Sequence, residues 1–573
     1  MLLTSTLTNG GAKKESYNNI PNNVYAYWVS DGLLEAFNKK QIKDFGNSCI
    51  GMRTGDNERF LRLWFEVDYS KLGLGFSSAD KAQKSEKKWF PYCKGGSFRK
   101  WYGNNDYVVN WENDGFEIKE NTRKVYPQLG DNLGWKISNE QFYFKPGLTW
   151  SGVGASVFGV RSYPQGMIFD SGANSFFVNE DRDYYYFAGL LNTKLIDSII
   201  NIINPTINTG CGVVAILPAI YDYTAKEEIE KLVKENIEAS KQDWDNFETS
   251  WDFERHPLLR DKKLIEEAFD EWERECEERF QKVKQNEERL NQIFNEIYSM
   301  QHEMSPSVDD DVVTVRRASR TRDIRSLISY AVGCMFGRYS LEEKGIIEDV
   351  SKINFDDIYF DEDNIIPVTE EGYFKDDIVN RFCNWLGKAF GEEYVEQNLK
   401  YITDSLEIEG ATPKEILRKY FEDEFIKDHG NTYSVTGSGK RPIYWMFSSG
   451  KQNGFKCLIY VHRYDADCVG RIRTEYLHKS QKAIEQALET AERLKDNSVK
   501  GTDKSKATKQ IANYTKQLAE IKQYDEAMAH VANQRIEIDL DDGVKANYAK
   551  FQGIEISQEG KKAIKIDLLA PIK

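Results

Sequence analysis

None of the 13 prolines in this 573-residue chain follows another. The N/D-P-P-Y/F loop that grips the amino group of a flipped base in amino-methyltransferases is therefore not encoded. The nearest string, Asn204-Pro205-Thr206, lacks the second proline and the aromatic. The eight cysteines form no C-x-x-C pair, and Cys457 and Cys468 are the two that lie nearest each other. That spacing excludes a zinc ribbon and a disulfide framework, and reads as buried, reduced thiols in a cytoplasmic protein. Six histidines show neither H-x-x-x-H nor H-E-x-x-H spacing, so no metal site is expected. Long apolar runs are also missing. The best, from Gly212 to Ile220, is broken by Pro218 and falls short of the ~20 residues of a membrane span. After Met1-Leu2-Leu3 the chain turns polar, with Lys13 and Lys14, and no secretory leader is read.

Nucleotide motifs fail on the same terms. Gly73-Leu74-Gly75 and Gly152-Val153-Gly154 lack the third glycine of a dinucleotide fingerprint. Gly437-Ser438-Gly439-Lys440-Arg441 ends like a phosphate loop, but position 434 is Ser and Arg follows the lysine. The amide nest and the metal-binding hydroxyl are both absent, which leaves a solvated turn. Glu117-Ile118-Lys119 is the kind of E-x-K that an acidic chain contains by chance. No catalytic residue and no resident cofactor are assigned.

What is present is a folded, multidomain composition: 40% hydrophobic, 13% aromatic and 29% charged, with room for three or four domains of ~150 residues. We read α+β architecture throughout. A polar lead-in spans 1–25. A strand-rich domain spans 26–221, with runs such as Tyr107-Val108-Val109-Asn110-Trp111 divided by turn signals such as Asn113-Asp114-Gly115. It closes on helical spacing at Leu190, Leu191, Leu195, Ile196, Ile199 and Ile200.

Glycine then vanishes between Gly212 and Gly333. Phe269, Cys276, Val283, Leu290 and Ile297 recur every seven residues, and Ile265, Trp272 and Ile293 supply part of a second seam that Arg279 and Asn286 interrupt, so 222–305 reads as a long helical spacer with an imperfect coiled-coil stripe. A mixed helical domain over 306–470 contains a strand block at 442–464. A helical hairpin at 471–535 and a strand-and-loop tail at 536–573 complete the chain.

The formal charge is −15, which would repel a polyanion if it were evenly spread. It is not: residues 225–304 carry 23 acidic against 13 basic side chains. The remainder can hold a positive face. From Lys81 to Asn104 seven cations stand against Glu86 alone, interleaved with Trp89, Phe90, Tyr92, Phe98, Trp101 and Tyr102 around Gly95-Gly96. Cations neutralise phosphates, flat rings stack on or wedge between bases, and glycine admits a close backbone. The other reading is a strand pair with solvated lysines over core aromatics.

Upstream, Arg53, Thr54, Asp56, Asn57 and Arg59 surround two glycines, a set suited to base edges or phosphates, or to a plain turn. The candidate DNA-binding residues are therefore these five with Lys87, Lys88, Trp89, Lys94, Arg99, Lys100 and Trp101. Secondary candidates are Arg316, Arg317, Arg320, Lys440, Arg441 and Lys451.

Five strings carry a resemblance: Gly51-Met52-Arg53-Thr54-Gly55-Asp56-Asn57-Glu58-Arg59-Phe60, Lys88-Trp89-Phe90-Pro91-Tyr92-Cys93-Lys94-Gly95-Gly96, Arg99-Lys100-Trp101-Tyr102-Gly103-Asn104-Asn105, Val109-Asn110-Trp111-Glu112-Asn113-Asp114-Gly115, and Arg441-Pro442-Ile443-Tyr444-Trp445-Met446-Phe447-Ser448-Ser449-Gly450-Lys451. Together they resemble the C-terminal half of PglX, the adenine-specific DNA methyltransferase family of BREX phage-defence systems. Phe187-Ala188-Gly189-Leu190-Leu191-Asn192-Thr193-Lys194-Leu195 also resembles the close of a restriction-modification target-recognition domain.

The resemblance implies that 26–221 recognises a non-palindromic DNA site and that residues 51–59 and 87–101 lie in that domain. It implies partners: double-stranded DNA, a methyltransferase domain on another chain that carries S-adenosylmethionine, and other BREX components. The family's cofactor and N-P-P-Y motifs are not in this sequence, so the chain is not expected to be catalytic alone. Two alternatives stay open: an acidic interaction protein of the defence complex, and a remnant of a longer methyltransferase.

Overall fold

Short aromatic and β-branched runs between turn signals become strands, and the 3.6-residue patterns become helices. The computed structural model describes residues 31–154, 157–347, 359–558 and 561–572. The expected lead-in at 1–25 lies outside the described residues. The architecture is α+β, with several small sheets and long helices, in two units. The first comprises residues up to 64, 70–246 and 273–318; the second comprises 65–69, 247–272 and 319 onward.

The first unit holds two four-stranded sheets. One joins β1 (Gly46–Cys49), β8 (Ala173–Val178), β5 (Gly147–Ser151) and β6 (Arg161–Tyr163), in that order and antiparallel throughout. The other runs β2 (Leu61–Leu63), β4 (Tyr107–Asn110), β3 (Trp89–Cys93) and β7 (Ile168–Phe169), with only the β3–β7 pair parallel. Every residue of β3 and β4 is buried, the pattern of strands covered on both faces. The helix α1 (Glu112–Val125) opens through Asn113, Asp114 and Gly115, all left-handed at φ 51°, 60° and 68°. Short polar residues and glycine tolerate that region best.

Helices α2 (Tyr184–Leu191) and α3 (Lys194–Ile203) pack into the core that backs the β1-containing sheet. The Thr193 side chain accepts from the Ile196 N–H and caps α3, whose Leu195, Ile196, Ile199, Ile200 and Ile203 are all buried. Each such side chain contributes about 1.5–3 kcal/mol.

The acidic stretch does not stand apart from this core. Helices α4 (Lys226–Asp245) and α5 (Ile265–Ile297) run antiparallel, with Arg289 on Glu228 at 2.7 Å and Lys282 on Glu235 at 2.9 Å. Ile229, Val233, Phe280, Val283, Leu290, Ile293 and Phe294 enter the same hydrophobic cluster as Leu190 and Leu195. The expected separate spacer over 222–305 is thus corrected for α4 and for the 280–294 part of α5, whose apolar side chains enter the core of the first unit, whereas residues 265–272 belong to the second. Asn286, which breaks the heptad, is buried and donates to Asn236 Oδ1 at 3.0 Å. A pairing of this kind fixes one register between two helices.

In the second unit, the buried helix α6 (Arg320–Met335) precedes a three-stranded antiparallel sheet of β12 (Tyr444–Ser448), β13 (Lys456–Tyr460) and β9 (Ile366–Pro367). Between them lie α7 (Ile378–Phe390), α8 (Val395–Leu406) and the two-strand turn of β10 (Ser434–Val435) and β11 (Gly439–Lys440). A helical hairpin, α9 (His478–Asn497) and α10 (Gly501–Gln534), and the strand pair β14 (Ile554–Gln558) and β15 (Lys561–Ile566) follow. Among the described residues, no helix is long and apolar enough to cross a membrane.

Candidate nucleic-acid interface

The loop at 51–59 is anchored at its first residues and open at its far end. Met52 N–H donates to Phe169 O at 2.9 Å, tying the loop to β7. A Cβ on Gly51 would lie 1.9 Å from that same carbonyl oxygen, so only glycine lets the two backbones meet. Arg53 donates from Nη1 to Trp135 O at 3.1 Å, and Arg53 N–H donates to Lys136 O at 2.8 Å. Thr54 is buried, and its hydroxyl donates to Asn57 Oδ1. Asp56 caps the single turn Asn57–Phe60 by accepting from Arg59 N–H at 3.1 Å. Residues 55–59 are exposed, with Arg59 on Glu117 at 3.2 Å. Exposed pairs of that kind are worth little and exchange readily for a phosphate.

The loop abuts a surface that composition and spacing do not single out. Trp135 is 59% exposed, and Tyr126 meets its ring edge-on at 6.2 Å. The Lys136 ammonium lies 4.1 Å from the Tyr126 ring and 4.7 Å from that of Trp135. Phe116 and Val125 on α1 are also exposed. Two arginines, a lysine and an open indole therefore share one side of the first unit. No sequence signal separates Trp135 from the buried tryptophans.

The basic and aromatic segment at 81–104 is divided by the fold. Lys87 donates to Ser70 O, Lys88 lies 5.4 Å over the Trp89 ring, and Lys94 lies 4.7 Å over Tyr107. All three are half-buried, whereas Trp89 is a core residue of β3. Gly95 and Gly96 serve packing: a Cβ would fall 2.9 Å from Gly172 O and 2.8 Å from the Asn104 amide nitrogen. The Gly96 N–H is committed to Ser151 Oγ at 3.0 Å.

At its end Lys100 and Trp101 are buried against the acidic helix α5, and Arg99 is half-buried beside α4. Lys100 is buried and paired with Glu287 of α5 at 2.8 Å, and Trp101 Nε1 donates to the other oxygen of that carboxylate at 2.7 Å. Arg99 lies 3.6 Å from Asp243 of α4 and 5.0 Å from the Trp244 ring. Trp101 is left-handed at φ 69°, a strained state for a bulky residue. It is held by its N–H on Val160 O at 2.9 Å and by Ser162 N–H on its own carbonyl at 2.7 Å. Trp89, Lys100 and Trp101 are therefore corrected to structural residues: their burial leaves no face for a base or phosphate.

The secondary arginines also have partners within the chain, though Arg317 and Arg320 are exposed. Arg316 binds both oxygens of buried Asp243, at 3.2 and 3.0 Å, and Arg317 pairs with Glu277 and Asp310 over the Phe280 ring. In the second unit Arg320 donates to Ser405 Oγ at 2.7 Å, and Arg441 lies 3.5 Å from Glu66. Lys440 is half-buried on β11 and Lys451 is exposed. The fold brings residues 53–59 together with Trp135 and Lys136.

Among the described residues, no group of three or more His, Cys, Asp or Glu is arranged to hold a metal ion. The Cys49, Cys334 and Cys468 thiols are pushed up to about 12 by burial, which suppresses nucleophilicity. Gly73 and Gly152 donate their N–H groups to Trp89 O and Gly172 O, and neither G-x-G pair opens a helix.

No family model matches the chain. It is 38% identical over 556 residues to the adenine-specific methyltransferase PglX of Lacticaseibacillus casei (strain Zhang). It is 32% identical over 577 residues to the adenine-specific methyltransferase BrxX of Escherichia coli O9:H4 (strain HS). Each alignment covers 94% of this chain and 45% of the relative, so the chain spans about half the length of the curated relatives it matches.

Proposed function

We propose that the chain recognises double-stranded DNA within a BREX-type adenine methylation system, with methyl transfer performed by a methyltransferase domain that this sequence does not contain. The observation that carries this reading is the open loop at 55–59 beside Trp135 and Lys136, in a chain whose alignable length lies within two adenine-specific methyltransferases. Arginine and asparagine on a loop read base edges, and an exposed indole stacks or wedges. The strand-rich residues 26–221 form the recognition domain, and S-adenosylmethionine belongs to the methyltransferase partner.

The test is a duplex-library selection with the full chain, with and without a methyltransferase subunit of the same system. Enrichment of one non-palindromic site by the chain alone supports the reading; an unselected pool overturns it. Other BREX components and a cytoplasmic location belong to the same proposal.

A further inference from the structure

A second feature of the first unit lies away from residues 53–59. Between the segments 151–154 and 205–209 opens a cleft of about 220 Å³, with Arg99 and Arg161 among its lining residues. The walls are tied by Gly154 N–H on Ile207 O and Thr209 N–H on Gly152 O, 2.9 and 2.8 Å.

Arg161 is only 2% exposed, yet among the described residues it forms no ion pair. Its guanidinium reaches Lys94 O at 3.5 Å, the longest span of a hydrogen bond. The neighbouring Arg99 has a buried Nε without a partner. A desolvated guanidinium is costly unless an anion completes it. Nearby carboxylates do not complete this one. Asp106 feels both guanidinium charges, but among the described residues it forms no ion pair with either. Asp197, in the cleft wall, accepts from Phe158 N–H at 2.8 Å and forms no ion pair with either arginine among the described residues.

The rim has the opposite character. Val153 and Ile207 are 65% and 64% exposed, beside Thr206 and Asn201. An anion seated on the two guanidinium groups would thus carry an apolar flank, as a phosphodiester does with its deoxyribose. The volume is below that of drug-sized pockets and suits one such group. Planar guanidinium forks match phosphate oxygens in pairs.

We propose that this cleft is a phosphate-binding site that seats one backbone phosphate of the DNA, held by Arg161 and Arg99 with its sugar against Val153 and Ile207. The inference rests on the DNA-recognition reading and adds a fixed anchor at a place remote in sequence from the 51–59 loop.

The experiment uses the full chain and fluorescence anisotropy on duplex DNA. Val153→Glu/Ile207→Glu alters only exposed positions and places two carboxylates at the mouth. It should weaken duplex binding about tenfold and lower the salt slope by about 0.9, the value for one neutralised phosphate. Arg161→Lys should weaken binding likewise. Unchanged affinity and slope in the rim variant overturn the proposal. If the unaltered chain binds no duplex, the recognition reading fails separately, and inorganic phosphate at constant ionic strength judges the cleft. A thermal shift seen in the unaltered chain and abolished in Arg161→Lys then keeps an anion site; no shift overturns it.

Discussion

Replacing Glu287 separates a structural role for Lys100 and Trp101 from a DNA-contacting one. The carboxylate receives Lys100 Nζ at 2.8 Å on one oxygen and Trp101 Nε1 at 2.7 Å on the other, with both charged side chains at most 4% exposed. Glu287→Gln keeps an acceptor for the indole but strands a buried ammonium. Breaking one partner of a buried pair costs about 3–5 kcal/mol. The pair also secures Trp101 in its left-handed conformation, a strain of about 1–3 kcal/mol. Removing both charges with Glu287→Met/Lys100→Met leaves only the indole N–H unsatisfied, at about 1–3 kcal/mol. The order of stability is therefore unaltered chain, then the double variant, then Glu287→Gln. Hydrogen exchange of β5, β6 and β8 in graded urea reads the first unit separately. The double variant should also bind duplex DNA as the unaltered chain does. If Glu287→Gln loses less than about 0.5 kcal/mol, or if the double variant no longer binds duplex, the structural assignment is wrong and Lys100 returns as a DNA-binding residue.

Three further outcomes are expected. Gly51→Ala should cost about 3 kcal/mol, because the added carbon would sit 1.9 Å from Phe169 O; a melting temperature equal to that of the unaltered chain refutes this packing. Arg53→Ala/Arg59→Ala/Lys136→Ala should lower duplex affinity and reduce the salt slope by about 0.9 for each phosphate no longer neutralised, read by anisotropy between low and moderate salt. His429 Nε2 accepts from Ile443 N–H and Tyr444 N–H, both at 3.0 Å, and burial together with the Arg338 charge holds its pKa well below the usual value. The unfolded chain takes up that proton below about pH 6.5 and the folded chain does not, so stability falls as pH drops, by about 2 kcal/mol at pH 5. His429→Gln should flatten this slope in urea unfolding at pH 7 and pH 5; parallel slopes contradict the neutral imidazole.

The α+β class is legible in the sequence because local patterns decide it. The apolar run of β4 and the spacing of Leu195, Ile196, Ile199 and Ile200 in α3 each report their own element. Long-range partnership is not legible. Lys100 meets a carboxylate 187 residues away, so a lysine that reads as solvated becomes buried. Residues 222–305 show an acidic amphipathic pattern, but the apolar side chains of α4 and of the 280–294 part of α5 share one core with α2 and α3, which no heptad count reveals. Trp135 and Trp101 are the same residue type in similarly polar surroundings, and only the fold exposes one and encloses the other. Gly95 and Gly96 signal close approach in either reading; the structure assigns the approaching atoms to the chain itself.

The most direct measurement is the affinity of the full chain for duplex DNA as a function of salt. Tight binding at low salt, with log K falling linearly against log salt and a shallower line for Arg53→Ala/Arg59→Ala/Lys136→Ala, is the predicted result. Absence of binding at low ionic strength, or identical lines for the two proteins, would contradict it.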